Sequence, residues 1–381
     1  PLDVSRSLAL GRSRFAERAV LVGDDHAELL AGLAALARGE EPASGVRGTA
    51  PQGGRKPVFV FPGAGTRWIG AGAELLDSCP AFAARMADCE RALAPHLDWS
   101  PTEVLRRGAA PERAEAAQPV LFAVLVSLAA VWRAHGVEPA AVIGHGPGEV
   151  AAACVAGALS LDDAARVAVE RGKALGACLL YTCQLDLAVA AVNGPRTVVV
   201  AGAEDAVDAF VDGLTAEGAM AWRTPAAHAF HHDGAAAVRD TLRTALAGIA
   251  PRTPAVPILS TVDAAPPGPD AFGPEHWHRD LRYTVRFQDT VRALLDAGHR
   301  TFVEVGAHPT LTFTIEDIIE DAAADAGAAD ALVLDTLHRS EGGGLLRRLL
   351  LSLGAAQTNG LPVAWEPLFE GAGAGRVDLP T

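Results

Sequence analysis

Lysine is nearly absent from the 381-residue sequence, occurring only at Lys56 and Lys173, so almost all of the positive charge comes from arginine. Acidic residues outnumber basic ones by 46 to 32, and the formal net charge is −14 at pH 7. Proteins that bind nucleic acids need clustered lysine and arginine to displace phosphate counterions. The charge balance therefore argues against a nucleic-acid partner, and an acidic surface suits a cytoplasmic protein.

Cysteine and long apolar runs are also scarce. The five cysteines show no C-x-x-C spacing, which argues against a zinc site and against a disulfide framework, so we expect no metal. We expect no apolar run to reach the length of a membrane span, and hence no membrane partner. The chain opens at Pro1 without an initiator methionine or a signal-peptide pattern, and we expect it to be a piece of a longer protein.

Hydrophobic residues make up half of the sequence, enough to bury one large core and a smaller one. From residue 57 onward, short apolar runs alternate with segments of helical periodicity. The runs cover residues 58–61, 140–144, 257–261, 301–305 and 331–334. This alternation predicts an α/β fold with a parallel sheet flanked by helices.

Two segments depart from this alternation. Residues 185–192 and 197–201 are apolar runs joined by Asn-Gly-Pro-Arg, and a helical stretch over residues 205–216 follows them. They predict a β-hairpin and a helix, hence a small inserted subdomain. Residues 39–56 are rich in glycine, proline and charge, which is typical of a linker.

Two glycine-rich loops follow predicted strands. The sequence V-I-G-H-G-P-G-E over residues 142–149 has the strand-turn-helix context of a nucleophile elbow, G-x-S-x-G, but Gly146 stands where the serine would be. Glycine has no side chain to acylate, and a plain glycine-rich turn is the ordinary alternative. The sequence F-V-F-P-G-A-G-T-R-W over residues 59–68 could direct backbone amides at an oxyanion, although a phosphate loop or plain turn fits equally.

Further short motifs occur in a fixed order with these loops: A-Q-P at 117–119, E-R-G-K at 170–173 and H-A-F-H at 228–231. Together they resemble the malonyl-type acyltransferase family of modular type I polyketide synthases over nearly the whole chain. The resemblance implies an α/β-hydrolase-like large subdomain, residues 57–177 and 227–344, interrupted by a truncated ferredoxin-like subdomain, residues 178–226. Residues 1–56 resemble the linker that follows the ketosynthase, and residues 345–381 resemble the post-acyltransferase linker.

The resemblance also implies a reaction. In this family a serine takes a malonyl or methylmalonyl group from coenzyme A and passes it to the phosphopantetheine thiol of an acyl carrier protein. No cofactor is expected within the domain itself. The implied partners are the ketosynthase and acyl carrier protein domains of the same synthase, together with a coenzyme A thioester if the pocket is intact.

Roles for individual residues follow from the same resemblance. His231 matches the general base, and Arg171 matches the arginine that holds the extender carboxylate, although a surface arginine is the plain alternative. Asp280 stands where the family has an asparagine that helps to orient the histidine. The remaining matches are substrate-binding positions and oxyanion-hole positions: Gln118, His145, His228 and Phe230 for the substrate, and Ala64 and Pro147 for the backbone that faces the oxyanion.

Phe230 in H-A-F-H resembles the malonyl-selecting pattern. The chain nevertheless departs from the family at Gly146, at Ala64 and Arg67, which replace two glutamines, and in the shortened small subdomain. Cys154, two turns beyond the elbow, is expected to face the core and is a poor substitute nucleophile. We therefore expect a catalytically inactive domain kept for its structure. The alternatives are an active malonyl transferase carrying a Ser-to-Gly mutation, and a non-catalytic module that binds acyl-CoA or a carrier protein.

Overall fold

The computed structural model describes residues 1–63, 71–108, 113–178, 187–224, 231, 233–268, 271–326, 330–338 and 344–379. The described elements of the first half are, in chain order, α1 (Leu2–Gly11), β1 (Glu17–Leu21), α2 (His26–Ala37), β2 (Gly45–Thr49), β3 (Val58–Phe61), α3 (Ala71–Ser78), α4 (Pro80–Leu93), α5 (Pro101–Arg107), α6 (Ala114–Ala134), β4 (Ala141–Gly144), α7 (Gly148–Ala156) and α8 (Leu161–Cys178).

The described elements of the second half are β5 (Ala188–Gly194), β6 (Thr197–Ala201), α9 (Glu204–Ala216), a 3₁₀ helix (Asp233–Val238), α10 (Arg239–Ala245), β7 (Ile258–Leu259), α11 (Pro274–Arg282), α12 (Phe287–Asp296), β8 (Thr301–Glu304), α13 (Thr312–Ala326), β9 (Leu332–Asp335), α14 (Leu345–Thr358) and α15 (Glu366–Phe369).

A parallel sheet with the strand order β7-β4-β3-β8-β9 forms the centre of the fold. Strands β3, β4 and β8 are buried at every residue, because helices cover both faces of the sheet. The predicted α/β fold is thus confirmed, and each of the five predicted apolar runs contains a strand. Since parallel strands share their direction, the loops that leave the carboxyl ends of β3 and β4 meet at one edge.

Helix α6 is the long apolar helix of the core. Its 21 residues include a window of mean hydropathy 1.8, long and apolar enough to cross a membrane, so the expectation that no run reaches this length is wrong. In this fold 78% of that window is buried inside the protein, as in the core helix of a globular domain. Trp132 on α6 donates a hydrogen bond of 2.9 Å from Nε1 to Thr336 Oγ1, just beyond β9.

Strands β5 and β6 form the predicted antiparallel hairpin, and α9 follows it as predicted. The first predicted run begins at residue 185, and its first two positions lie outside the described residues. Two backbone hydrogen bonds of 2.9 Å connect β5 with Val285: Val192 N–H donates to the carbonyl of Val285, and Val285 N–H donates to the carbonyl of Ala190. The inserted hairpin is therefore held against the segment between α11 and α12.

The two ends of the chain pack together. Strands β1 and β2 pair antiparallel, so residues 45–49 are a strand and the prediction of a plain linker over residues 39–56 is wrong there. The β1–β2 pair packs on α14, where a Cβ at Gly354 would come within 3.0 Å of Val20 and Val46. Leu349 and Leu353 of α14 belong to the main hydrophobic core. That residues 1–56 and 345–381 connect this domain with neighbouring domains of a synthase stays a prediction.

Candidate functional site

The turn between β4 and α7 has the shape of a nucleophile elbow. Gly146 has φ = +52°, in the left-handed region that favours glycine. A Cβ at Gly144 would overlap the backbone of Glu149, and one at Gly148 would overlap the carbonyl oxygen of Phe61. The flanking glycines are therefore required by close backbone packing, whatever residue occupies position 146.

Position 146 points at His231. A Cβ built on Gly146 would lie 3.1 Å from His231 Nε2, so the first side-chain atoms at this position would be within hydrogen-bonding reach of the imidazole. His231 itself is buried and has φ = +56°, a conformation that non-glycine residues adopt mainly where the surrounding structure enforces it. Its backbone N–H donates a 3.0 Å hydrogen bond to the carbonyl of Leu281 on α11. The structure thus brings together the predicted nucleophile position and the predicted base.

His231 is neutral at physiological pH. Burial, together with the nearby His145 and Arg171, lowers its pKa to about 3, while backbone groups of Tyr283 and Asp280 act in the opposite direction. A neutral imidazole has a free nitrogen lone pair and can accept a proton. The electrostatic environment is therefore compatible with a base, although a pKa so far below 7 makes it a weak one.

His145 connects the elbow with the inserted hairpin. Its Nε2 lies 2.7 Å from Oδ1 of Asn193 on β5, and because an amide oxygen only accepts, the imidazole donates. Burial lowers the pKa of His145, and its ring packs 5.7 Å from that of Phe287. Sequence reasoning missed Asn193, because an Asn-Gly pair between two apolar runs is already explained by turn chemistry.

Arg171 is fully buried, which excludes the alternative of a surface arginine. From α8 its Nη1 donates a 3.0 Å hydrogen bond to Oε1 of Gln118 on α6, and its Nη2 forms an ion pair with Oδ2 of Asp280 on α11. Burial raises the pKa of the Asp280 carboxyl to about 6, while the Arg171 guanidinium acts to lower it. The backbone of Asp280 faces His231, but its carboxylate is a partner of Arg171.

The carboxylate of Glu149, in the first turn of α7, is held by hydrogen bonds from residues that follow β7 and from α11. It is completely buried and accepts hydrogen bonds from Ser260 Oγ (2.7 Å), from Thr261 N and Oγ1 (2.9 Å each) and from His276 Nε2 (2.9 Å). Burial acts to raise its pKa, but these hydrogen bonds and the His276 charge outweigh burial and lower it. The sequence signal was an acidic residue at the first turn of a helix, which is ordinary and pointed to no network.

Other predicted positions separate into three groups. Ala64, His228 and Phe230 lie outside the described residues, as does Arg67. Pro147 is described, but proline has no amide hydrogen and cannot donate to an oxyanion, so the backbone role predicted for it is wrong.

Cys154 is buried, and burial raises the pKa of its thiol to about 11, which agrees with its dismissal as a nucleophile. Within the described ranges no cluster of His, Cys, Asp or Glu could hold a metal ion.

Comparisons with known proteins identify the family of the chain. Residues 58–363 match the family of acyl transferase domains. The chain is 44% identical over 406 aligned residues to the spectinabilin polyketide synthase system protein NorC of Streptomyces orinoci, an alignment that covers all of this chain and 17% of that protein. The chain thus spans a small part of the curated relatives that it matches.

Solved structures of the same kind superimpose on the fold. The acyltransferase domain from module 8 of the salinomycin polyketide synthase has 43% sequence identity and a TM-score of 0.87, covering 96% of this chain and 90% of that one. A loading acyltransferase from the avermectin modular polyketide synthase has 38% identity and a TM-score of 0.72, covering 79% of this chain and 99% of that one.

Proposed function

The chain belongs to the acyl transferase domain family of modular polyketide synthases, and from this premise we propose that it forms no acyl-enzyme intermediate and is retained as a structural domain of its synthase. One observation carries the proposal. The position that faces His231 Nε2 at 3.1 Å, measured from a Cβ built there, is Gly146, which has no side chain. Without a nucleophile the two-step route through a covalent intermediate is closed.

The residue after the elbow supports the same conclusion. In enzymes with this turn, the backbone N–H that follows the nucleophile donates one hydrogen bond of the oxyanion hole. Here that residue is Pro147, with φ = −59° at the N-terminus of α7, and it has no hydrogen to donate. Loss of one such donor costs about 10²–10³-fold in rate in enzymes where it has been removed. Two separate catalytic elements are therefore missing from one turn.

The structural elements around the turn are intact, which favours retention as architecture over general loss of the fold. Glu149 keeps four hydrogen bonds, and Gly144 and Gly148 keep their close contacts. The partners we propose are the ketosynthase and acyl carrier protein domains of the same cytoplasmic synthase. Selection of a malonyl group, which Phe230 suggests, would need the Arg171 guanidinium, and that group already pairs with Asp280.

Intact-protein mass spectrometry tests the proposal. The chain is incubated with malonyl-CoA or acetyl-CoA, with and without a phosphopantetheinylated carrier protein, beside the matched variant Gly146→Ser. We expect no mass increase for the unmodified chain and no transfer to the carrier. Acylation of the unmodified chain would refute the proposal and require that a different nucleophile be mapped. Full acylation and transfer by Gly146→Ser would favour the alternative of an otherwise active transferase that has lost only its serine.

A further inference from the structure

The charged groups beside the elbow form a closed pair. Arg171 and Asp280 are both fully buried, and the Nη2 group of the arginine contacts Oδ2 of the aspartate. The Nη1 group of the same arginine donates a hydrogen bond to Oε1 of Gln118. The pair lies next to the predicted base, since the backbone N–H of His231 donates a 3.0 Å hydrogen bond to the carbonyl of Leu281, the residue that follows Asp280 on α11. An acyl thioester bound between the elbow and His231 would therefore lie beside this pair.

From this arrangement we infer that the site accepts an uncharged acyl thioester and discriminates against a carboxylated one, with Asp280 as the residue that determines the specificity. The inference concerns binding rather than catalysis: it rests on the proposed origin of the site in the acyl transferase family and specifies which class of acyl thioester the site would bind. An arginine can recognise a substrate carboxylate only if its charge is available. In this chain the charge is neutralised by a carboxylate that the protein itself supplies.

A second carboxylate would be repelled. It would have to share one guanidinium with Asp280 in a buried site, where like charges only a few ångströms apart disfavour each other strongly. The hydrogen-bonding groups agree with this view. Among the described contacts, Oδ1 of Asp280 is a buried acceptor with no donor, and a carboxylate could offer it none. We expect the repulsion to weaken binding of a carboxylated acyl group by roughly tenfold or more.

An uncharged acyl group meets no such opposition. It requires no cation, and the Arg171–Asp280 pair can remain closed beside it. The polar atoms that remain, Nε2 of Gln118 and Nε of Arg171, are buried donors without a partner among the described contacts and could face a thioester carbonyl or a bound water. The site is thus electrostatically neutral where a malonyl-selecting site would be positive.

Binding measurements on the chain as it stands test the inference, because Gly146 prevents turnover. Isothermal titration gives the Kd of acetyl-CoA, malonyl-CoA and free coenzyme A, so the comparison of the two thioesters isolates the effect of the carboxylate. We expect acetyl-CoA to bind roughly tenfold tighter than malonyl-CoA. For Asp280→Asn, which frees the guanidinium charge, we expect malonyl-CoA to bind roughly tenfold tighter while acetyl-CoA changes little.

Glu275→Gln is the matched control. Glu275 lies on the same helix, is half-exposed and pairs with Arg239, so its replacement changes the net charge equally without touching Arg171. This variant should leave the ratio of the two Kd values unchanged. If Asp280→Asn does not fold, the ratio measured on the unmodified chain still decides the matter.

Binding of malonyl-CoA by the unmodified chain as tightly as acetyl-CoA, or more tightly, would overturn the inference. Binding of both thioesters no better than free coenzyme A would also overturn it, because the site would then hold no acyl group. Neither result bears on whether the chain is acylated, which the mass measurement decides separately. The substrate class and the loss of catalysis can thus fail independently.

Discussion

Serine at position 146 should restore only part of the catalytic apparatus, because Pro147 would still lack the oxyanion donor. A serine there would place its Cβ 3.1 Å from His231 Nε2, a tight contact that requires the imidazole to shift by a few tenths of an ångström. It would also adopt φ near +52°, which costs a non-glycine residue about 1–2 kcal/mol. We therefore expect Gly146→Ser to be slightly less stable than the unmodified chain and to be acylated slowly.

Adding Pro147→Ala to Gly146→Ser should accelerate acylation by about 10²–10³-fold, the usual effect of one oxyanion-hole donor. The φ of −59° at Pro147 suits alanine, so the second change should cost the fold only about 0.4–1 kcal/mol through the entropy of the unfolded chain. The assay is rapid-quench mass spectrometry of acyl-enzyme formation with a saturating acyl-CoA. Pro147→Ala alone is the control and should not be acylated. Equal rates for Gly146→Ser and the double variant would refute the reasoning.

Three further predictions concern the buried groups. Glu149→Gln should lower the free energy of unfolding by about 3–5 kcal/mol, because it breaks a buried charge network. The control Glu103→Gln, at an exposed position, should change this free energy by less than about 0.5 kcal/mol. Urea titration measures both variants, and equal effects would contradict the importance of the network. Cys89 and Cys154, with thiol pKa values raised by burial to about 12 and about 11, should resist maleimide at pH 8 until guanidinium is added, and peptide mapping would reveal labelling of the native chain. Because the pKa of His231 is lowered to about 3, the unfolded chain binds a proton before the folded chain does as the pH falls below about 6.5, so the free energy of unfolding should fall by up to about 1.4 kcal/mol per pH unit. Thermal melts of His231→Gln should show a shallower fall, and an unchanged slope would show that His231 contributes nothing.

The parallel sheet could be predicted from the sequence because its strands are buried on both faces. Residues 58–61, for example, are uninterrupted apolar residues and form β3 with every side chain buried. Strand β2 could not be predicted in this way. Residues 45–49 contain two glycines and an arginine and are only partly buried, so their pairing with β1 depends on packing against α14 rather than on a pattern of their own.

The elbow and His231 could be predicted from the order of the motifs along the sequence. The ion pair between Arg171 and Asp280 beside them could not. Arg171 and Asp280 are separated by 109 positions, and a single substitution of aspartate for asparagine reads as conservative in sequence. Only the fold shows that the carboxylate reaches the guanidinium. Asn193 was missed for a related reason, since a residue with a sufficient local explanation gives no sign of a contact made 48 positions away.

The departures from an active site are chemically independent of one another, and this bears on how they arose. Gly146 removes the nucleophile, Pro147 removes a backbone donor, and Asp280 neutralises the buried arginine. A single change made to trap an enzyme would account for the first and leave the other two unexplained. The residues that only shape the turn, Gly144 and Glu149 among them, still make every close contact that the elbow requires. Absence of groups that would do chemistry, beside retention of those that hold the backbone, is the pattern we expect if the proposal of a domain kept for its structure is right.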